Sequence, residues 1–235
     1  MAIKILGIHS SPKDGATAAA LRYALKCCEE VEGVETEFVE LRKGKLNPCL
    51  HCDACIKNNL YNCPVHNDAI TPLYEKIIEA DGIILASPVY QMAPNAQLAM
   101  LINRMRPLGK LTSVGGWGRK VGLSIAVGGT RNGGEETSLA VMNRYFLTQG
   151  MVLAGAGVYA YSGASIWGHN HHDDSVMTED ETNRMVIEVS ARRMATMAQI
   201  IKTGIDNMPD LLPCQIAGFR DEENRAAHVK AFFAK

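Results

Sequence analysis

Apolar residues along the chain gather into five short runs separated by longer periodic stretches. The runs are IKILGIH (3–9), VETEFVEL (34–41), GIILASP (82–88), KVGLSIAVG (120–128) and MVLAGAGVYA (151–160). Four of them are nearly continuously apolar, the pattern of strands covered on both faces. VETEFVEL alternates polar with apolar positions, as an edge strand with one wet face does. Between the runs lie helical patterns at 16–31, 68–80, 95–108, 135–150 and 180–204. Several carry stop and start signals: Pro94 precedes the third, and glycines close the fourth and fifth. Strand and helix in alternation predict a doubly wound five-stranded parallel sheet, spatial order 2-1-3-4-5, within one α/β domain. Pro209, Pro213 and a charged end set residues 206–235 apart as a C-terminal arm suited to packing on another subunit.

In such a sheet the loops after strands 1, 3 and 4 meet at one ligand site. The first, HSSPKDGAT (9–17), offers the hydroxyls of Ser10, Ser11 and Thr17 at a helix start. Unpaired N–H groups and the positive dipole end there suit a phosphate. No G-x-G-x-x-G follows the strand, which disfavours a Rossmann dinucleotide site. The second loop contains Pro88, Val89, Tyr90, Gln91 and Met92, a stiff turn able to border a flat ring system. The third, GGTRNGGEETS (128–138), has four glycines that permit close backbone approach. Thr130 and Arg131 add polar groups, while Glu135 and Glu136 suit the positive end of the following helix.

Composition narrows the chemistry. The 235 residues carry a net charge of −1, so no general attraction to nucleic acid or anionic membrane is expected. No apolar run nears the ~20 residues of a membrane span, and the N-terminus lacks a secretory pattern. A cytoplasmic protein is expected. Four of its seven cysteines fall in CLHCDACIKNNLYNC (49–63), spaced C-x2-C-x2-C-x7-C before Pro64. A reducing compartment disfavours disulfides. Zinc sites usually draw on two separated pairs, whereas steps of three residues wrap a loop round a compact cluster. Zinc, with His51 and His66 nearby, and thiol–disulfide exchange both stay open. Cys27 and Cys28 sit on the first helix as small buried hydrophobes, and Cys214 is isolated in the tail. The polar loop GHNHHDD (168–174), with His169, His171 and His172, is expected to border the ligand or a subunit interface, with Trp167 covering part of a ring.

SSPKDGAT, PVYQMAPNAQ and GGTRNGGEET each resemble a segment of the NADPH-dependent FMN reductase superfamily on the flavodoxin-like fold. With the cysteine-rich loop (47–66) between strands 2 and 3, residues 1–205 resemble the iron–sulfur flavoproteins of methanogens and other anaerobes. The resemblance implies FMN bound by Ser10, Ser11, Lys13, Ala16, Thr17, Pro88, Val89, Tyr90, Gln91, Met92, Gly129, Thr130, Arg131, Gly133 and Gly134. It implies a 4Fe–4S cluster on Cys49, Cys52, Cys55 and Cys63, and chemistry carried by the flavin. Electrons would come from ferredoxin or a similar low-potential donor and pass to a small-molecule acceptor such as dioxygen, peroxide or a quinone. It further implies a homodimer or homotetramer. Asp14 and Ala16 stand where related phosphate loops often carry Asn, with Lys13 offsetting the acid. Two other readings fit the residues: an NAD(P)H-dependent flavin or quinone reductase with a structural zinc site, and a non-enzymatic electron carrier or redox sensor.

Overall fold

A computed structural model describes residues 2–208 except residue 170. The arm expected over 206–235, with Cys214, falls outside the described residues from 209 onward. The first apolar run forms β1 (Ile3–His9), pairing in parallel with β2 (Val34–Glu40) and with β3 (Gly82–Tyr90). β3 pairs in parallel with β5 (Val121–Gly128), whose eight residues are all buried. VETEFVEL is the edge strand its alternation predicts.

The expectation of five strands in the order 2-1-3-4-5 is corrected in two places. Among the described residues the sheet has seven strands: five follow the path β2-β1-β3-β5-β6, with β4 beside β3 and β7 beside β5. β4 (Ala93–Pro94) exists because β3 runs on past the sheet and turns back antiparallel on itself. Gln91 and Met92 take positive φ to make that turn. The run MVLAGAGVYA is not one strand. It gives β6 (Val152–Leu153), leaves the sheet through a turn bridged between Gly157 and Tyr161, and the chain returns as β7 (Ala164–Trp167). Both pieces lie parallel to β5.

Helices cover both faces. α1 (Ala16–Glu29) and α7 (Glu181–Asp206) pack on one side, in a core that includes Cys27 and Cys28. α3 (Leu73–Glu79), α4 (Ala96–Arg104) and α5 (Glu135–Gln149) lie on the other. The short helices α2 (Ala54–Lys57) and α6 (Ser175–Thr178) belong to connections. The pattern at 95–108 ends early as an α-helix. Pro107 cannot supply an N–H to it, and the chain tightens into a 3-10 segment, Arg106–Val114. The pattern at 68–80 begins late, because Asp68 is used as a hydrogen-bond acceptor rather than as a helical residue. Among the described residues no helix is long and apolar enough to cross a membrane.

Candidate functional site

The carboxyl ends of β1, β3 and β5 open onto one groove. Ser11, Lys13, Ala16 and Thr17 form one wall, Pro88, Val89 and Tyr90 another, and Gly129 the third. α1 starts at Gly15 with no side chain capping it, so its first N–H groups are not satisfied by a cap. An anion is the natural partner for that end. Ser11 Oγ accepts from the Lys13 N–H at 3.2 Å, which shapes the turn into the helix. Asp14 does not face the groove. Its carboxylate is held by Arg22 at 2.7 Å and Arg42 at 3.4 Å, and the Arg22 hydrogen bond keeps it below the usual carboxylate range. The acid that looked unfavourable beside a phosphate is thus tied elsewhere.

Ser10 lies beneath the groove rather than in its wall. It is fully buried, with its N–H and hydroxyl both donating to Ala86 O. Its carbonyl accepts from Asn95 Nδ2 at 2.6 Å. Asn95 in turn caps α4 through Leu98 N and donates its own N–H to Ser87 Oγ. This buried residue joins the first loop to the second and was not among the predicted site residues.

Gln91, Met92, Thr130, Arg131, Gly133 and Gly134 do not line the groove. They form its shoulder. A Cβ on Gly134, whose φ is +105°, would stand 2.8 Å from Met92 Cα, so only glycine lets the turn after β3 pack there. The Arg131 guanidinium sits 4.7 Å over the Trp167 ring, and Trp167 stacks on His169 at 3.5 Å. His169 pairs with Asp180 at 2.7 Å, leaving His171 and His172 at the groove. The His172 carbonyl would meet a Cβ on Gly15 at 2.7 Å. The histidine loop therefore borders the groove, with Gly15, Val127, Gly128 and Gly168 as further lining absent from the predicted set.

A second, smaller cavity lies between β2 and β3 in the chain. Cys49, Cys52, Cys55 and Cys63 all line it, together with His66, Arg104 and Arg106. His51 and Asp53 take positive φ, which coils the chain between the first three thiols. His51 N–H donates to Cys49 Sγ at 3.4 Å. Burial pushes the Cys55 thiol up, opposed by backbone hydrogen bonds and Arg106. Among the described residues, no three His, Cys, Asp or Glu side chains converge as the ligands of one ion. The four cysteines share the lining of one cavity.

The cavity is held from below by a buried ion pair. Arg104 and Asp68, each with a side chain only 1% exposed, meet at 2.8 Å. Asp68 also accepts from the N–H and side-chain amide of Asn47 at 3.1 and 3.0 Å, and Arg104 donates to Asn47 O at 2.9 Å. Asn47 and Asp68 bracket the cysteine segment, so one clamp fixes both of its ends. Burial alone would push Asp68 up, but hydrogen bonds from Asn47 and Arg104 outweigh it and hold the carboxyl below its usual range. Arg104 Nε and His66 Nε2 are buried with no partner among the described residues.

Against known proteins, residues 3–165 match the profile of the NADPH-dependent FMN reductase family. The chain belongs to that family. Within it, the chain is 37% identical over 186 residues to an iron–sulfur flavoprotein of Methanocaldococcus jannaschii, covering 78% of this chain and 91% of that one. An iron–sulfur flavoprotein of Archaeoglobus fulgidus is 34% identical over 196 residues, 83% of this chain and 97% of the relative. The solved structure of RosB with a bound 8-demethyl-8-formylriboflavin-5'-phosphate intermediate superimposes with a TM-score of 0.68 at 15% identity, over 97% of this chain and 88% of that one, a likeness of fold. This FMN reductase family member is an iron–sulfur flavoprotein by kinship and a flavin-dependent oxidoreductase by class. The groove suits FMN on its own geometry, through the uncapped helix start and the close approach at Gly15. Four soft cysteine sulfurs round one cavity, with the buried Arg104 Nε–H beside them, suit an iron–sulfur cluster.

Proposed function

We propose that the protein carries FMN in the groove and a 4Fe–4S cluster on Cys49, Cys52, Cys55 and Cys63. It would take electrons from a low-potential donor such as ferredoxin and deliver them to a small acceptor, dioxygen, peroxide or a quinone. When bound, the cluster supplies one-electron transfer and the flavin two-electron chemistry. The chain's own part is to hold and orient. The N-terminus of α1 with Ser11 and Thr17 receives the phosphate; Pro88 to Tyr90 and Gly129 border the ring; Arg131 waits at the shoulder.

One observation carries the reading: a single helix spans the two sites. α4 is capped by Asn95, which braces the loops of the groove, and ends at Arg104 in the wall of the thiol cavity. Its nine residues measure roughly 13 Å at ~1.5 Å per residue. Four cysteines lining one cavity also match the four-thiolate ligation of a 4Fe–4S cluster.

Anaerobic purification with iron, sulfide and flavin analysis tests the proposal. About four irons and one FMN per chain are expected, from the four-thiolate ligation of such clusters. Iron-free protein from an anaerobic, cluster-competent host would sink it. Reduced ferredoxin should bleach the flavin rapidly while NADPH does so slowly, and the reverse order would favour a pyridine nucleotide-dependent reductase. The Cys55→Ala variant should lose the cluster's broad visible absorbance.

A further inference from the structure

Arginine presents five N–H donors and cannot discard its proton. In Arg104 the two terminal nitrogens are committed. Nη1 donates to Asn47 O at 2.9 Å and Asp68 Oδ2 at 2.8 Å, and Nη2 reaches Asp68 Oδ1 at 3.5 Å. Nε is buried and donates to nothing among the described residues. A buried donor left unmade costs about 1–3 kcal/mol, so its position asks for an acceptor. Arg104 lines the cavity of the four thiols. Because the guanidinium is planar and its fork is pinned on Asp68, the direction of Nε–H is fixed by the clamp.

We propose that Arg104 Nε–H donates a hydrogen bond to a thiolate or sulfide sulfur of the group held in this cavity, and so sets how readily that group accepts an electron. The inference rests on the cluster reading above. Hydrogen bonds to cluster sulfurs stabilise the more negative, reduced form and raise its potential. The positive charge of Arg104 is largely balanced by Asp68 at 2.8 Å, so the directed N–H, not net charge, is what the cavity feels. This gives the clamp two functions: it fixes the ends of the cysteine loop and aims one donor at its contents. His66, whose Nε2 is likewise buried and unpartnered beside the cavity, is a lesser candidate for the same task.

The test compares Arg104→Lys with Asp68→Asn in the cluster-loaded protein, by redox titration monitored through the EPR signal of the reduced cluster. Arg104→Lys keeps the charge and removes the donor at ε. Its ratio of reduced to oxidised cluster at fixed ambient potential should fall about tenfold, 59 mV for a one-electron couple. Asp68→Asn leaves an amide oxygen to accept from Arg104 Nη1, so the guanidinium stays aimed while its charge is uncovered, and the ratio should rise. A merely structural clamp would move both variants in the same direction, and that outcome overturns the proposal, as does an unchanged ratio in Arg104→Lys. If Arg104→Lys fails to load, 15N-arginine protein in an Arg106→Lys background decides. Pulsed EPR should then show a 15N coupling to the reduced cluster, and its absence overturns the proposal. Iron and sulfide analysis of the unaltered protein separates failure of this inference from failure of the cluster reading.

Discussion

The candidate flavin groove and the thiol cavity are built by opposite means. The groove sits at the carboxyl ends of three central strands whose residues are almost all buried, so its loops start from fixed points. Its stability is spread over many ladder hydrogen bonds and packed side chains. Among the described residues the cavity has no strand in its wall. Its cysteine side is a coil of loop and one four-residue helix, backed by Arg104 at the end of α4 and by Arg106 and Pro107 of the 3-10 segment. Asp68, Arg104 and Asn47 hold its ends, while the Arg106–Asp53 pair and the bond from Lys110 to Asn59 tie down its middle. The ends of central strands tolerate local damage because neighbours share the strain, whereas a loop tied at a few polar points loses its shape when its one buried pair fails.

The sharpest way to break the comparison is Asp68→Ala. Removing one partner of a buried pair leaves an uncompensated charge and costs about 3–5 kcal/mol. Denaturant unfolding of the metal-free protein should show that loss, and iron retention should collapse well before flavin binding does. A loss below about 1 kcal/mol, the range of exposed pairs, would mean the loop is held in some other way. The pH dependence follows from the same carboxyl. Asp68 is held below its ordinary value of 3.8, so its stabilisation is full above that pH and is lost as pH falls through the lower folded value. Asp68→Asn should flatten that acid limb.

Asn95 stands between the two regions, and Asn95→Ala should be next in size. It removes a helix cap, about 1 kcal/mol, and leaves the buried Ser10 carbonyl without its donor, about 1–3 kcal/mol more before relaxation. Stability should drop by about 2–4 kcal/mol on those figures, and FMN should dissociate faster. Equal weakening of iron and flavin binding would show that α4 couples the sites mechanically; weakening of flavin alone would show that the clamp isolates its end. Gly134→Ala confines the damage to the groove. Positive φ and the 2.8 Å approach to Met92 Cα make any side chain strained there, by about 1–3 kcal/mol. A tenfold loss of FMN affinity, about 1.4 kcal/mol, is expected from equilibrium titration with iron content unchanged.

The same division explains how much the sequence discloses. Strands buried on both faces announce themselves as apolar runs, so β1, β3 and β5 and the loops that follow them were legible. The fifth run failed because apolar content does not distinguish a strand from a covered turn. Gly155 and Gly157 break MVLAGAGVYA, and the second half of the strand comes from ASIW, too short to stand out. That the four cysteines share one site was legible as spacing, but the clamp beneath them was not, since Asn47, Asp68 and Arg104 are brought together over 57 and 36 positions. One signal was present: Leu98, Leu101 and Arg104 share a helical face that is buried, and an arginine on an apolar face needs a partner. Asp14 shows the limit from the other side. Adjacency in SSPKDGAT placed it at the phosphate, while Arg22, one face of α1 away, draws it off.

The smallest expected effect is therefore the most pointed test of the groove. Asp14→Asn removes a carboxylate that is 43% exposed and paired with Arg22 and Arg42. Exposed pairs contribute little, so stability should change by no more than about 0.5 kcal/mol. If Asp14 faced the phosphate of FMN, removing its charge would tighten binding by roughly tenfold, the effect of relieving a like charge worth about 1.4 kcal/mol. With the carboxylate turned to its two arginines, and with screening over about 8 Å at physiological salt, FMN affinity should stay within about twofold. Titration at low and at physiological salt separates the two cases. A strong tightening that fades with salt would put Asp14 in the groove wall. An affinity indifferent to both charge and salt would assign anion recognition to the uncapped start of α1 and leave the acid to orient Arg22.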